Sequence, residues 1–211
     1  MKIHNVEQRS KEWFDLRLGK VGGSEAIGLT TPARMKTLIN VKLAEMLTGQ
    51  AEQVFVNDAM QYGIDTEPIV VGLYEKEQFV TTTEVGGISN DNYPTAFLSP
   101  DRLVGDDGAL EVKCPQPKNY IDMVLSAYDD THKGFNKIPA NYRPQIGTYF
   151  LMMPDLKWVD FVAYNELVSL TSMLIIRVTR EDAEMEIKKL IAGHIKFKAK
   201  IDEGLKHFTN V

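Results

Sequence analysis

Asp101, Glu111 and Lys113 stand close together in the chain, on either side of the turn sequence Gly105-Asp106-Asp107-Gly108. In a strand, side chains two apart share a face, so Glu111 and Lys113 point the same way while Leu110 and Val112 enter the opposite layer. A two-residue loop at Asp106-Asp107 would pair Val104 with Ala109 and set Asp101 opposite Val112. That is the wrong face, because a one-residue slip of register flips every side chain. The three groups converge only if the loop has an odd length or a bulge interrupts the strand near Pro100. The flanking glycines and the proline suit such an irregularity, and it is predicted here. Convergent carboxylates make a hard-oxygen site suited to Mg²⁺. A neighbouring lysine can lower the pKa of an attacking water or steady charge on a phosphate. Metal-assisted phosphodiester hydrolysis needs this set. On spacing alone, an acid and a Glu-x-Lys are common, and an ordinary solvated hairpin pair is the simpler reading.

A second constellation bears on that choice. Gly22-Gly23-Ser24 opens a short helix, where backbone N–H groups attract anions and glycine permits close approach. Arg17, one loop upstream, could grip a phosphate with two N–H groups. Taken alone, a capped turn and a surface arginine explain these residues; beside a metal site, a phosphate pocket becomes the better reading. Glu67 opens a helix at Asp65-Thr66-Glu67-Pro68. It is either a third carboxylate facing the metal or an acid favoured by the helix dipole. Gln145 lies among Tyr142 and Tyr149 on a helix over 140–152, where a buried amide needs a partner. Lys113 or a metal-bound water could serve, and so could a backbone carbonyl.

These residues need a scaffold. The chain has 211 residues, enough for one domain, and a net charge of −5, which argues against a generally basic nucleic-acid binder. A local basic channel in an acidic shell remains compatible with a DNA enzyme. Cys114 is the only cysteine, so no disulfide framework or cysteine-rich zinc site is expected; beside the acids it reads as a small buried side chain rather than a nucleophile. No apolar run is long enough to span a bilayer, and the N-terminal residues lack the apolar core of a secretory signal. A reducing cytoplasm is expected. Ser10 caps a short helix through Arg17, ended by Gly19. A second helix starts near Gly22 and a longer one covers 35–47. The next starts at Asp65 with Pro68 in its first turn and an apolar face of Ile69, Leu73 and Tyr74. Strands are predicted over 79–89, 95–103 and 109–114, a mobile loop with a helical piece over 116–137, and strands near 157–164 and 172–178. A helix over 181–206 closes the chain. This order gives an α+β or mixed α/β sandwich.

Six segments in order, Trp13 to Gly19, Gly23-Ser24-Glu25, Tyr62 to Glu67, Ser99-Pro100-Asp101, Glu111 to Pro115 and Tyr142 to Gln145, resemble the motifs of the lambda-type phage exonucleases. These are the YqaJ-like viral recombinases of the PD-(D/E)xK nuclease superfamily. Pro68 departs from the family's helical acid motif, and the segment 31–36 is shorter than the family's DNA-contacting insertion. The resemblance implies a single nuclease domain over 1–211 with a restriction-endonuclease-like core, a central twisted mixed sheet flanked by helices. It implies a Mg²⁺-dependent 5′→3′ exonuclease that degrades one strand of linear duplex DNA to mononucleotides and leaves 3′ overhangs for phage recombination. By the same resemblance Asp101, Glu111 and the Val112 carbonyl hold two Mg²⁺ ions per site, with Mn²⁺ able to substitute. Lys113 helps activate the water, Glu67 and Gln145 orient water and lysine, and Arg17 and Ser24 hold the 5′-phosphate. Arg34 enters the minor groove. A homotrimeric ring around DNA, a phage single-strand annealing protein as partner, and the cytoplasm of a bacterial host are implied too.

In such a ring, Lys133, Lys137 and Arg143 are candidates to track phosphates. The lysines at 188, 189, 196, 198 and 200 read mostly as a solvated helix face paired with Glu184 and Glu186. Two other readings stand. An endonuclease or repair enzyme on the same core would have no terminus for a 5′-phosphate pocket to hold. A non-catalytic DNA-end-binding accessory protein would not need Asp101, Glu111 and Lys113 intact.

Overall fold

The computed structural model describes residues 1–52 and 56–209. Strand β1 (Lys2–His4) leads through a tight turn into helix α1 (Lys11–Arg17), whose cap Ser10 accepts from the Trp13 N–H as expected. After β2 (Val21–Gly22), a 3₁₀ segment, Gly23–Leu29, replaces the expected short α-helix. Helix α2 (Pro32–Thr48) stops at Gly49, which adopts the left-handed φ of 67°. Helix α3 (Asp58–Gln78) starts well before Asp65: Asn57 is the cap, accepting from the Met60 N–H. Pro68 therefore lies inside the helix, not in its first turn, and cannot donate to the Ile64 carbonyl. The buried face of α3 is Val70, Val71 and Tyr74, whereas Ile69 and Leu73 are exposed. Packing against the sheet fixes which side of the helix is covered, and the apolar pattern alone mistakes it by one residue.

The expected strand 79–89 is two pieces, β3 (Thr82–Thr83) and β4 (Gly87–Ser89), in different sheets. They part at Gly86, where an added Cβ would lie 2.0 Å from the Val6 carbonyl oxygen, so only glycine lets the N-terminal segment cross there. The expected strand 95–103 divides likewise into β5 (Ala96–Phe97), parallel to β2, and β6 (Arg102–Val104), with Pro100 between them. β7 (Gly108–Lys113) follows. The stretch 116–137, expected to be a mobile loop with a helical piece, holds the regular helix α4 (Pro117–Tyr128) as that piece and a 3₁₀ turn, Gly134–Lys137. Helix α5 (Arg143–Met152), strands β8 (Trp158–Tyr164) and β9 (Met173–Thr179), and helix α6 (Glu184–Thr209) complete the order near their expected places.

The five-stranded sheet runs β3-β6-β7-β8-β9, antiparallel except for the parallel pair β7–β8. It is the mixed sheet expected. Helix α3 covers one face, packing Val70 and Tyr74 on Leu110, Val112 and Val162. Helices α4 and α5 cover the other, with Tyr120, Ile146 and Tyr149 on Ala109 and Phe161. The far side of α5 meets α2, α6 and the 3₁₀ segment through Leu151, Leu38, Leu190 and Leu29. Helix α5 is thus buried nearly all round; its half-buried residues, Arg143 and Gln145, lie in the first turn, and Gln145 looks onto β7.

Candidate active site

The β6–β7 hairpin has the odd loop the chemistry required. Val104 pairs with Gly108, Leu103 with Ala109 and Arg102 with Leu110, so the loop is Gly105-Asp106-Asp107. Gly105 takes a φ of 57°, which suits glycine. One step further in that register, Asp101 falls opposite Glu111. The Asp101 carboxylate accepts from the Val112 N–H at 2.6 Å. The carbonyl of a strand residue points to the same edge as its N–H, so the Val112 oxygen faces Asp101 as well.

Glu111 is 1% exposed and holds three donors. Lys113 Nζ donates to Oε1, Gln145 Nε2 donates to the same oxygen at 2.6 Å, and the Tyr149 hydroxyl donates to Oε2 at 2.5 Å. The same hydroxyl accepts from the Asp101 N–H at 3.2 Å. The partner of Gln145 is therefore Glu111, neither Lys113 nor a backbone carbonyl. Glu67 comes near, but Arg102 engages it at 3.5 Å and reaches Glu84 at 3.4 Å with its other nitrogen.

The charges are out of balance. Burial, then the Glu111 and Glu67 carboxylates, push Asp101 well above the usual carboxylate range against the pull of Lys113. Burial also raises Glu67, with Glu111 adding to it and Arg102 opposing. Burial would lower the Lys113 ammonium, but Glu111 and Asp101 outweigh it and hold the lysine above its ordinary value. Burial, Glu67 and Asp101 push the Cys114 thiol up to about 11, so it is not a nucleophile at neutral pH. Among the described residues no cluster of three or more His, Cys, Asp and Glu side chains forms a ready metal cage. Two carboxylates with a strand carbonyl at their edge, and an excess of negative charge around them, nonetheless fit a hard divalent cation that keeps water ligands.

The second constellation is assembled differently from the simple phosphate cradle. Arg17 lies over the Trp13 ring, 4.5 Å to its centroid, and its Nη2 is 3.0 Å from Glu25. Glu25 also accepts from the Gly22 N–H at 2.7 Å. Burial would raise Glu25, but Lys42 and Arg17 outweigh it and hold the carboxyl below its ordinary value. Lys42, buried, bridges Glu25 and Glu45 at 2.8 and 3.0 Å. Ser24 is exposed beside them. Trp13 Nε1 donates to the Gly86 carbonyl and to Ser99 Oγ, mooring α1 to the strand that leads into Asp101.

Arg34 is exposed in the first turn of α2, and Lys133 is exposed before the Gly134–Lys137 turn, where Lys137 is half-buried. Arg143 is turned inward, its Nε on the Ile138 carbonyl at 2.7 Å and its Nη2 on that of Asn136 at 3.0 Å. On α6, Lys188, Lys189, Lys198 and Lys200 pair with Glu184, Glu186, Asp202 and Glu203, the solvated face expected. Sequence reasoning missed Tyr149 and Arg102 as members of the site. Tyr149 was legible only as one of the aromatics around Gln145. Arg102 adjoins Asp101, and nothing in the pattern marks it as the partner of Glu67.

The fold has close counterparts among solved structures. The alkaline exonuclease LHK-Exo from Laribacter hongkongensis is 28% identical, with a TM-score of 0.79 over 95% of this chain and 99% of that one. Its complex with dAMP matches with a TM-score of 0.82 at the same identity, over 95% and 97%. A phage-related exonuclease from Haemophilus somnus 129PT shares the fold at 14% identity, with a TM-score of 0.60 over 88% and 96%. No curated protein matches the chain. Fold and likeness thus imply a nuclease of the alkaline-exonuclease kind. The model of the YqaJ-like viral recombinase domain matches residues 12–152, and the chain belongs to that family. Among the described residues no helix is long and apolar enough to cross a membrane.

Proposed function

We propose that the chain, as one nuclease domain over 1–211, is a Mg²⁺-dependent exonuclease of the PD-(D/E)xK type that degrades the 5′-ended strand of linear duplex DNA. The observation that carries this reading is the convergence of Asp101, Glu111, Lys113 and Gln145 at the end of β7. Asp101, Glu111 and the Val112 carbonyl would hold the metal, two ions per site, with Mn²⁺ able to replace Mg²⁺. Bound there, the cation supplies positive charge to the scissile phosphate and acidifies an attacking water. Lys113, whose Nζ donates to Glu111, would help activate the water and steady charge on the phosphate oxygens. Gln145 and Tyr149 fix the Glu111 carboxylate, and Glu67 orients the water.

Arg17 and Ser24 would receive the 5′-phosphate, which replaces Glu25 as the anion on the guanidinium. Arg34, Lys133 and Lys137 would track the backbone of the duplex, and Arg143 would join them if its guanidinium leaves the Ile138 and Asn136 carbonyls. LHK-Exo has been solved with dAMP, and release of mononucleotides is carried from it to this chain. A homotrimeric ring and a single-strand annealing protein that takes over the 3′ overhang, in the cytoplasm of a phage-infected or lysogenic bacterium, complete the reading.

The test is digestion of linear duplex labelled at either end, with Mg²⁺ or EDTA and with 5′-phosphate or 5′-hydroxyl. Mg²⁺-dependent mononucleotide release from the 5′ strand, faster with phosphate, is the expected result. Nicking of closed circles without release from ends would overturn it in favour of an endonuclease, and end binding without cleavage in favour of an accessory protein.

A further inference from the structure

The turn that enters α1 is built on an arginine in a conformation arginine seldom takes. The Ser10 N–H donates to the Glu7 carbonyl at 3.1 Å and closes the turn Glu7-Gln8-Arg9-Ser10. Arg9, at its third position, has a φ of 68°. A positive φ there is the mark of a type II turn, where glycine or asparagine is the ordinary choice. The other non-glycine residue with positive φ among the described ones, Phe79, ends helix α3, where a left-handed cap is common.

The turn is fixed against the active-site strand. Gln8 Nε2 donates to the Val85 carbonyl at 3.1 Å and to the Pro100 carbonyl at 3.2 Å, one residue before Asp101. Arg9 is exposed, and its guanidinium makes no hydrogen bond or ion pair among the described residues. Its charge still reaches Glu67, where it joins Arg102 and Lys113 in opposing the upward push of burial. The side chain therefore projects, with its N–H fork free, from a turn that is anchored one residue before Asp101. No contact within the fold accounts for an arginine at a position that glycine would fill without strain. Strain of this kind, at a residue with no structural partner and beside reacting groups, points to a ligand.

We propose that Arg9 is a contact for the DNA backbone, its guanidinium taking a phosphate of the duplex as the strand enters the site. This rests on the nuclease reading above. A phosphodiester brought to Asp101, Glu111 and Glu67 approaches like charge, and a fixed cation at the entrance offsets that repulsion. The planar fork matches two phosphate oxygens, and contact to the backbone carries no base preference.

The test is fluorescence anisotropy of a labelled, 5′-phosphorylated linear duplex, in Ca²⁺ to prevent turnover and across a salt series, with thermal midpoints alongside. Arg9→Gly should keep or raise the thermal midpoint, because it relieves the left-handed strain. It should weaken DNA binding by about tenfold and reduce the salt slope by about one. Arg9→Lys, which keeps both strain and charge, should restore most of the slope. Arg9→Gly that binds with wild-type affinity and slope would overturn the contact and leave the nuclease reading intact. So would a marked fall in its midpoint, which would make Arg9 a structural residue. A wild-type protein that binds no duplex would overturn both.

Discussion

Two buried acids lie on neighbouring strands of one sheet and face opposite layers. On β7, Glu111 is paired in register with Phe161; on β8, Asp160 is paired with Leu110. Each has a cation and a tyrosine. Glu111 has Lys113 and Tyr149. Asp160 accepts from Arg177 through Nε at 2.8 Å and Nη2 at 2.7 Å, and from the Tyr74 hydroxyl at 2.7 Å. The ingredients match, but the accounts of charge differ. Around Asp160 one carboxylate meets one guanidinium, which lies 3.8 Å over the Trp158 ring, and the unit is neutral and closed. Around Glu111, two further carboxylates, Asp101 and Glu67, share the cations Lys113 and Arg102. A satisfied buried acid fastens α3 to the sheet. An unsatisfied cluster at the end of a strand is prepared for an added cation. Composition alone does not separate the two; partners do.

The largest effects should follow from the unsatisfied cluster. Lys113→Ala should lower hydrolysis of linear duplex by about a hundred- to a thousandfold in a single-turnover assay, with DNA binding kept. Asp101→Asn should remove Mg²⁺-dependent cleavage and tighten DNA binding, since a negative charge leaves the site. If Lys113→Ala cleaves like the wild type, the contrast between the two acids has no catalytic meaning.

Next in size is the closed unit. Arg177→Met leaves the buried Asp160 with the Tyr74 hydroxyl as its side-chain donor; because the guanidinium is half exposed, the cost should be about 2–3 kcal/mol of stability measured by denaturant unfolding. Cleavage per folded molecule should hold near the wild-type value, because Asp160 faces the layer away from Glu111. A variant that unfolds normally but fails to cleave would join the two regions into one site.

The pH dependence separates the acids further. Asp101 is raised, so the folded chain holds its proton more tightly than the unfolded chain does. Below its ordinary value of 3.8 both states are protonated, and Asp101→Asn should have no advantage. As pH rises through the raised value, the metal-free wild type should lose stability relative to Asp101→Asn, and the gap should then level off. Thermal melts of both proteins in EDTA across pH would show it; a gap that closes with rising pH would mean that Asp101 is instead stabilised as the anion.

The smallest effect belongs to Tyr149. Tyr149→Phe removes the donor to Glu111 Oε2 and the acceptor of the Asp101 N–H, which should cost about 1–2 kcal/mol of stability. Cleavage should fall by about tenfold with a weaker apparent Mg²⁺ affinity. Full activity would assign the hydroxyl to packing.

Much of this was legible in the chain. The alternation in β7 and the need for an odd loop or bulge, if Asp101 is to meet Glu111 and Lys113, follow from strand geometry, and the register has the odd loop. Gln145 stood out as an amide among aromatics that needs a partner, and its amide does reach Glu111. What stayed hidden depends on tertiary packing. The start of α3 and the position of Pro68 escaped because Asp65-Thr66-Glu67-Pro68 has the composition of a helix start, while Asn57 supplies the cap. The strands near 79–89 and 95–103 read as continuous because pattern does not reveal which sheet a short strand joins. Tyr149 read only as an aromatic neighbour of Gln145, because its hydroxyl finds its partner on β7, far away in sequence. Arg17 matched a phosphate-binding motif, but its pairing with Glu25, itself held by the buried Lys42, is a three-dimensional fact.

The most direct measurement is calorimetric titration of Mn²⁺ into the metal-free protein, comparing the wild type with Asp101→Asn and Asp160→Asn. Binding to the wild type and to Asp160→Asn, lost in Asp101→Asn, is the expected result. Equal binding by Asp101→Asn and the wild type, or binding by none of the three, would contradict the assignment of the Asp101–Glu111 cluster as the metal site.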